Sequence, residues 1–413
     1  MTTLPPPHGS TLVIGGGAAG IAAARHLHDA GADVLLIEAK PRLGGRAHSL
    51  PLAGGTIDLG CGWLHSARRN RWTAIAHAHG FTIDEHTANW GTQWRDLGHP
   101  PAEQAAFGRA WDRWEAAARA AVGGPDRPLS DFVRDEEWRP LLDAISGYAN
   151  GAPLAEVSLH DWIAYEDAST EDNWAVREGY GTLITKHAAG VPVRLGVAAT
   201  RIDRNGKRLR VDTTAGTIEA DRVIVAVPTT TLARGDLAFD PALDDHMQAA
   251  ADLPLGLADK VFVGVSGAVD WPDNAHLIGD PHSAMTASYR LSPLGLPLVE
   301  AFFGGSCAEA IEERDAFAFV ADELARLLGS AIRARLVPLV ATRWRHEPHI
   351  HGSYSHARVG CAGQRQVLAT PIEDRLFFAG EACSRTDFST AHGAYETGIA
   401  AAEAVLRSSR PPR

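Results

Sequence analysis

The strongest constraint on this chain is a glycine-rich turn between an apolar run and a helix-forming stretch, within TLVIGGGAAGIAAARHLHDAGADVLLIE at residues 11–38. Residues 12–14 are continuously apolar, which is typical of a strand buried on both faces. Residues 18–30 favour a helix that stops at Gly31, and a second apolar strand then ends at Glu38. The pattern therefore predicts a βαβ unit with an acidic residue closing its second strand.

The glycines of this turn, Gly15, Gly17 and Gly20, follow a G-x-G-x-x-G spacing. The first permits a tight turn, the second lets the backbone approach a pyrophosphate, and the third lets helix and strand pack closely. The helix N-terminus at Ala18 presents N–H groups and a partial positive charge to phosphates. Glu38 can accept hydrogen bonds from a ribose hydroxyl. The unit predicts a dinucleotide site, without distinguishing NAD from FAD.

The bulk composition narrows the class of protein. A length of 413 residues allows two or three domains. The net charge of −11 and the lack of a basic patch argue against nucleic-acid binding. The acidity is compatible with cationic substrates, although an effect on solubility alone would look the same.

Targeting and compartment are indicated by three further features. No apolar run reaches the ~20 residues of a membrane span. The opening MTTLPPPHGS lacks a basic region before an apolar core, so we expect a disordered lead-in rather than a secretory signal. The cysteines are widely spaced and form no C-x-x-C pair, which predicts a reducing, cytoplasmic location and no metal site; they are Cys61, Cys307, Cys361 and Cys383.

Strand-like and helix-like segments alternate in blocks along the chain, which predicts two interleaved domains. We expect an α/β plus α+β fold, with a Rossmann-like dinucleotide-binding domain and a second, substrate-binding domain of sheet and helices. The predicted boundaries are 1–86 with 190–238 and 340–413 for the first domain, and 87–189 with 239–339 for the second.

Individual segments carry further expectations. An amphipathic helix is predicted over 316–332. The acidic run at 165–173, YEDASTEDN, is either a solvated loop or a segment that attracts ammonium groups. A short apolar strand over 375–379 places Gly380 and Glu381 at its carboxyl end, where doubly wound sheets bind their ligands.

Several separate motifs, in the order of the family, resemble the FAD-dependent amine oxidases, the group that contains monoamine oxidase and polyamine oxidases. The resemblance covers nearly the whole chain and implies that the dinucleotide is FAD. The motifs are GGGAAG with Glu38, LGGRAHS, IDLGCGWLH, REGYGTL, ADRVIVAVP, ADKVFV, TRW…HGSYS and FFAGEACS…STAHGAYETGIAAAEAVL.

The resemblance implies specific cofactor contacts. Glu38 would hold the adenosine ribose, Arg46 would lie along the pyrophosphate and flavin, and Glu381 would reach the ribityl region. The helix near His392 would direct its N-terminus at the flavin C2 carbonyl, where reduced flavin carries negative charge. Ser353 stands where members with covalent flavin have cysteine, so we expect non-covalent FAD. The full set is Gly15, Gly17, Ala18, Ala19, Gly20, Glu38, Ala39, Gly45, Arg46, Gly62, Trp63, Ala199, Val227, Trp344, Gly380, Glu381, Ala391 and His392.

The resemblance also implies a substrate site. Lys260 would hydrogen-bond a water beside flavin N5, whereas outside the family context an exposed lysine would be the ordinary interpretation. Trp344 and Tyr354 would wall the cavity. His65 matches a histidine of the polyamine-oxidising branch that could bind or deprotonate an amine, the alternative being a histidine satisfied by backbone. Thr390 occupies the place of a second cavity tyrosine and leaves the substrate class open.

Three functions follow as hypotheses. The first is an FAD-dependent oxidase of small amines, diamines or polyamines, with hydride transfer from the α-carbon to flavin N5, imine hydrolysis and reduction of O2 to H2O2. The second is an L-amino-acid oxidase or C–C desaturase, in which Arg177, Arg290 or Arg343 would clamp a carboxylate. The third is a flavin-binding partner protein without turnover, which Lys260 and Tyr354 argue against. We expect no nucleic-acid, metal or membrane partner, and a monomer or homodimer.

Overall fold

The structure is a computed structural model that describes residues 10–86, 88 and 90–408, so all but the last residue of the predicted lead-in lies outside the described residues. The described residues form the strands β1 (Thr11–Ile14), β2 (Val34–Glu38), β3 (Ser49–Leu52), β4 (Gly55–Asp58), β5 (Ile83–Asp84), β6 (Ala175–Val176), β7 (Val193–Leu195), β8 (Ala199–Asp203), β9 (Leu209–Thr213), β10 (Gly216–Ala220), β11 (Arg222–Val225), β12 (Ala238–Asp240), β13 (Ala258–Val265), β14 (Ala275–Ile278), β15 (Ser288–Leu291), β16 (Leu298–Gly304), β17 (Leu336–Ala341) and β18 (Leu376–Phe378).

The same residues form the α-helices α1 (Ala18–Asp29), α2 (Arg71–Ala78), α3 (Pro101–Ala121), α4 (Arg139–Asn150), α5 (Leu159–Ala168), α6 (Tyr180–Lys186), α7 (Thr229–Ala233), α8 (Asp244–Asp252), α9 (Gly305–Glu312), α10 (Ala316–Leu328), α11 (Gln364–Leu368) and α12 (Ala391–Ser408).

The first sheet is parallel, in the order β18-β11-β1-β2-β7. Its central strand β1 is buried on both faces. Successive side chains of a strand point to opposite sides, so its residues join two different hydrophobic cores. Val13 packs with helices α1 and α12, whereas Leu12 and Ile14 pack toward β8, β9 and α8. The predicted βαβ unit is therefore confirmed, and the carboxyl ends of β1 and β18 meet at one edge of the sheet.

A second sheet is antiparallel, in the order β14-β15-β16-β13-β17. Strands β15 and β16 alternate between an apolar face and a polar face. Tyr289, Val299 and Ala301 are buried against helices α9 and α10, while Arg290 and Glu300 point the other way, into a cavity. A third sheet, β10-β9-β8-β12, packs beside the parallel sheet.

Two predicted segments differ from the structure. The helix expected over 316–332 ends at Leu328, because Gly329 adopts φ +90° and begins a separate 3-10 turn over Ser330–Arg335. The acidic run 165–173 is only partly a loop, since its first residues end helix α5 and the ring of Tyr165 packs against Phe388.

The predicted domain boundaries stay a prediction, but the hydrophobic packing of two segments differs from them. Residues 174–189 contribute Trp174, Tyr180 and Leu183 to the core beneath α1, although the prediction assigns them to the substrate domain. Likewise, residues 243–253 pack with the parallel sheet. Sequence periodicity identifies apolar positions and does not say which core they join.

Candidate active site

One large cavity of about 1590 Å³ runs from the glycine turn to the polar face of the antiparallel sheet. This exceeds the ~300–1,000 Å³ of a drug-sized ligand pocket and leaves room for a cofactor and a substrate. Of the predicted site residues, those that line it are Gly15, Gly17, Ala18, Ala19, Glu38, Ala39, Gly45, Arg46, Gly62, Trp63, His65, Ala199, Val227, Lys260, Trp344, Tyr354, Gly380, Glu381, Thr390 and Ala391.

The glycine turn is shaped by close backbone contacts. Gly15 has φ +105°, and a Cβ there would lie 2.4 Å from the Ala226 carbonyl oxygen. A Cβ on Gly20 would lie 1.8 Å from the oxygen of Gly15, so Gly20 packs the turn against the helix and does not line the cavity. A Cβ on Gly17 would meet no protein atom within 4 Å. Gly17 thus leaves the start of α1 open to the cavity, as a pyrophosphate requires.

Glu38 links the turn to the end of β2. Its carboxylate accepts hydrogen bonds from the backbone N–H groups of Gly16, at 2.6 Å, and Lys40, at 2.8 Å. It is buried, with 7% exposure, and lines the cavity. A carboxylate held in this way is positioned for a ribose hydroxyl and would repel a phosphate at the same place.

Glu381 and Arg46 join the two ends of the chain. Arg46 Nη1 lies 2.8 Å from Glu381 Oε1 and also donates to the Ser353 carbonyl oxygen. The other carboxylate oxygen accepts from Ser355 Oγ, at 2.6 Å, and from the Ser389 N–H, at 2.8 Å. Burial alone would raise the pKa of Glu381, but Arg46 and the hydroxyl donor hold it below its usual value. Together with the open start of α1, these groups fit FAD.

The start of α12 is capped by Thr390. Its Oγ1 accepts from the Gly393 N–H at 3.0 Å and donates to the Asp387 carbonyl oxygen at 2.6 Å. His392 itself does not line the cavity, and its Nε2 lies 3.1 Å from an Asp387 carboxylate oxygen; the predicted role of the helix N-terminus toward the flavin stays a prediction. The first residue of α12, Ala391, does line it.

Lys260 is buried, with 8% exposure, so the interpretation as an exposed lysine is wrong. Its Nζ donates to the Asp58 carbonyl oxygen at 2.9 Å and forms an ion pair with Glu300 at 2.9 Å. Trp344 is also buried, and its backbone N–H donates to Asp259 at 3.1 Å. The predicted wall residues Trp344 and Tyr354 therefore share one cavity with Lys260; the Tyr354 hydroxyl donates to the Tyr148 carbonyl oxygen.

His65 has a side-chain partner rather than a backbone one. Its Nδ1 lies 2.7 Å from Asn173 Oδ1, and the orientation of that amide is set by a 3.0 Å bond from its Nδ2 to the Glu171 carbonyl oxygen. The carbonyl oxygen of Asn173 can only accept, so Nδ1 carries the proton and Nε2 is left as an acceptor. Burial lowers the pKa of His65 to about 4, which keeps the ring neutral at pH 7.

The sequence reasoning missed Glu300 and did not rank the three candidate arginines. Arg177 pairs with Asp84 and Arg343 donates to the Glu312 carbonyl oxygen, while Arg290 lines the cavity. The Arg290 guanidinium is already paired with the Glu300 carboxylate, at 3.9 Å. The period-2 alternation of SYRL and LVEAFF is the sequence pattern that indicates these residues. It places Arg290 and Glu300 on the strand face that points away from the apolar core.

The described residues contain neither a cluster suited to a metal ion nor a helix suited to crossing a membrane. No group of three or more histidine, cysteine, aspartate or glutamate side chains is arranged to hold a metal ion. None of the described helices has the length and hydropathy needed to cross a membrane.

Comparisons with known proteins agree with this site. The family model for flavin-containing amine oxidoreductases matches residues 18–113 and 111–406. Polyamine oxidase 4 from Oryza sativa is 30% identical over 95% of this chain and 88% of its own length. Lysine-specific histone demethylase 1 homolog 2 from Arabidopsis thaliana is 28% identical over 96% of this chain, but only 58% of that protein is covered. A structure of putrescine oxidase bound to putrescine superposes with a TM-score of 0.78 at 20% identity, covering 98% of this chain and 100% of that one, which confirms the fold.

Proposed function

Because this chain belongs to the family of flavin-containing amine oxidoreductases, we propose that its substrate is a diamine or a polyamine. The protein is an FAD-dependent oxidoreductase that acts on amines. When bound, FAD supplies the acceptor that takes two electrons from the amine and returns them to dioxygen. The relatives include polyamine oxidases, and the structural neighbour is named for its action on putrescine.

The outer part of the cavity carries the proposal. Asp112 of α3 and Glu166 of α5 line it beside the rings of Trp111 and Tyr165. Neither carboxylate forms an ion pair within the part of the chain that the structure describes. Burial raises the pKa of Glu166, and the nearby Glu115 carboxylate raises it further, so an added cation would be stabilised here. Aromatic faces also attract ammonium groups. An amine with a second ammonium group satisfies this region better than a monoamine.

The inner part of the cavity suits the reacting end of the same molecule. His65 Nε2 can accept a hydrogen bond from an amine, and a pKa of about 4 makes that more favourable than taking its proton. Trp344 and Tyr354 add apolar walls. Lys260 lies in the same cavity, with its Nζ held by the Asp58 carbonyl oxygen and by Glu300.

The cofactor would be held without a covalent bond. The Ser353 hydroxyl donates to the Ala258 carbonyl oxygen at 2.7 Å and accepts from the Ala258 N–H at 2.8 Å, so it serves the backbone of β13. We expect denaturation to release all of the FAD into a protein-free filtrate. The cytoplasmic location and the monomer or homodimer state stay predictions; cell fractionation and light scattering would test them.

Anaerobic flavin reduction tests the substrate class. We expect putrescine and spermidine to reduce the flavin with a kred/Kd about tenfold above that of n-butylamine and of amino acids, because one ion pair in a partly buried site contributes on the order of 1 kcal/mol. Glu166→Gln should raise Kd for the polyamines. The matched control is Glu171→Gln, which removes an exposed carboxylate of the same segment that does not line the cavity. Equal values for n-butylamine and putrescine, or no flavin reduction by any polyamine, would refute the proposal.

A further inference from the structure

A single carboxylate, Glu300, lies between two cations on the cavity face of the antiparallel sheet. Glu300 of β16 is directly opposite Arg290 of β15 in the strand register, and Lys260 of β13 is one diagonal step away, paired with Phe302. The Lys260 Nζ lies 2.9 Å from Glu300 Oε1, and Arg290 Nη1 lies 3.9 Å from Glu300 Oε2. Cross-strand neighbours at these positions are within reach of long side chains.

Apart from Glu300, the hydrogen-bond partners of the two cations are uncharged groups, and the Asp58 and Asp84 carboxylates act on the cations from further away. Lys260 donates to the backbone oxygen of Asp58, and Arg290 donates to the amide oxygen of Asn274 through Nε, at 2.9 Å, and Nη2, at 2.6 Å. The Arg290 guanidinium also lies 4.5 Å over the ring of Trp63. Among the described residues, Glu300 is thus the one carboxylate that lies within 4.0 Å of both cations.

Solvent cannot screen this group effectively. The side chains of Lys260, Arg290 and Glu300 are 10%, 17% and 12% exposed, and all three line the cavity. Without the carboxylate of Glu300, the same wall would present one more unit of positive charge to an entering ammonium ion. Because these side chains are mostly buried, the effective dielectric constant is well below that of water. The change in charge therefore alters the binding free energy of an ammonium ion with little screening.

We propose that Glu300 is a specificity-determining residue that sets the charge of this wall and thereby permits a cationic amine to bind at the inner end of the cavity. The inference rests on the proposed function, since it requires that the ligand enters as a cation. It assigns Arg290 the opposite effect: its charge limits how tightly a diamine binds. Both act through the local charge and not through contact with the reacting atoms.

A ladder of charges tests this inference. Relative to the wild-type wall, Glu300→Gln adds one unit of positive charge, Arg290→Gln removes one, and the double variant restores the wild-type charge. The measurement is the Kd of putrescine from the saturation of anaerobic flavin reduction in the holoenzyme. We expect Kd to rise on the order of tenfold in Glu300→Gln, to fall in Arg290→Gln, and to return close to the wild-type value in the double variant.

A purely structural role predicts a different order. If Glu300 only supports the sheet, the double variant should be the weakest binder of the four, and that result would overturn the inference. Flavin content and melting temperature of each variant show whether the holoenzyme is intact, and the Ki of 1,4-butanediol reports the binding of a neutral ligand of the same length. Equal weakening of putrescine and the diol would also contradict the inference. If no diamine or polyamine reduces the wild-type flavin, the proposed function fails by itself, and the ladder can be measured with whichever amine does.

Discussion

Arg365 and Asp161 form a buried ion pair that ties helix α5 to the cofactor side of the cavity. Their side chains are 1% and 2% exposed, and two hydrogen bonds join them, Nε to Oδ1 at 2.6 Å and Nη2 to Oδ2 at 2.8 Å. Arg365 Nη1 also donates to Ser355 Oγ at 2.9 Å, and that hydroxyl donates to Glu381 at 2.6 Å. One guanidinium therefore supports both the substrate helix and the carboxylate predicted to hold FAD.

Replacing Arg365 by Met should strongly destabilise the protein. Asp161 would keep only the Ala357 N–H, at 2.8 Å, as a donor among the described residues, and its charge would stay buried. Breaking a buried pair by removing one partner costs roughly 3–5 kcal/mol. The matched control is Arg113→Met, since Arg113 forms a similar two-bond pair with Asp135, at 3.0 and 2.9 Å, but is 51% exposed. That change should cost far less than Arg365→Met, because both charges of the exposed pair stay solvated when one partner is removed.

Urea unfolding of the holoenzymes, followed by far-UV circular dichroism and by flavin release, measures both costs. Arg365→Met should also lose FAD at lower urea than the wild type, because Ser355 no longer has its donor. The variant Asp161→Asn with Arg365→Met should recover part of the loss, because no unpaired charge then stays buried. Equal midpoints for Arg365→Met and Arg113→Met would refute this reasoning, as would a double variant less stable than Arg365→Met.

Three further outcomes are expected. Gly17→Ala should fold with near-wild-type stability but retain less FAD, because its Cβ would project into the cavity. Gly20→Ala should fail to fold, because its Cβ would lie 1.8 Å from the backbone oxygen of Gly15. The melting temperature and the flavin absorbance of the two variants distinguish these effects. Thr390→Val should lower the unfolding free energy by ~1 kcal/mol through loss of the helix cap, with Thr390→Ser as the conservative control in the same urea titration. Burial lowers the pKa of both His65 and His356 to about 4, so the unfolded chain binds more protons than the folded one between pH 6.5 and 4. The free energy of unfolding should therefore fall as the pH drops through that window. His356→Gln should reduce the slope of the urea midpoint plotted against pH.

Local features were predictable because their physical causes are local. The βαβ unit of residues 11–38 follows from apolar strands, glycine spacing and helix propensity within a single stretch of chain. The helix predicted over 316–332 is longer than the observed one, which ends at Leu328, because the amphipathic pattern continues past Gly329, the residue at which the helix stops. The family motifs, spread over the whole chain, predicted FAD, and most of the site residues that they indicated line the cavity.

The arrangement of charges in the cavity was not predictable, because it depends on strand pairing and on long-range contacts. His65 meets an asparagine 108 residues away, and Arg365 meets an aspartate 204 residues away. Periodicity shows that Glu300 shares a strand face with Phe302, but not which cation lies across from it.

The sequence by itself determined the glycine turn, the acidic end of β2 and, through the family resemblance, the cofactor and the reaction class. Only the tertiary structure decided that Lys260 and Arg290 share one carboxylate, that His65 presents Nε2 to the cavity, and that Thr390 caps a helix. The physical reason is that propensity and spacing act over a few residues, whereas the register of β13, β15 and β16 is set by burial of their apolar face, and that burial places the polar residues opposite one another.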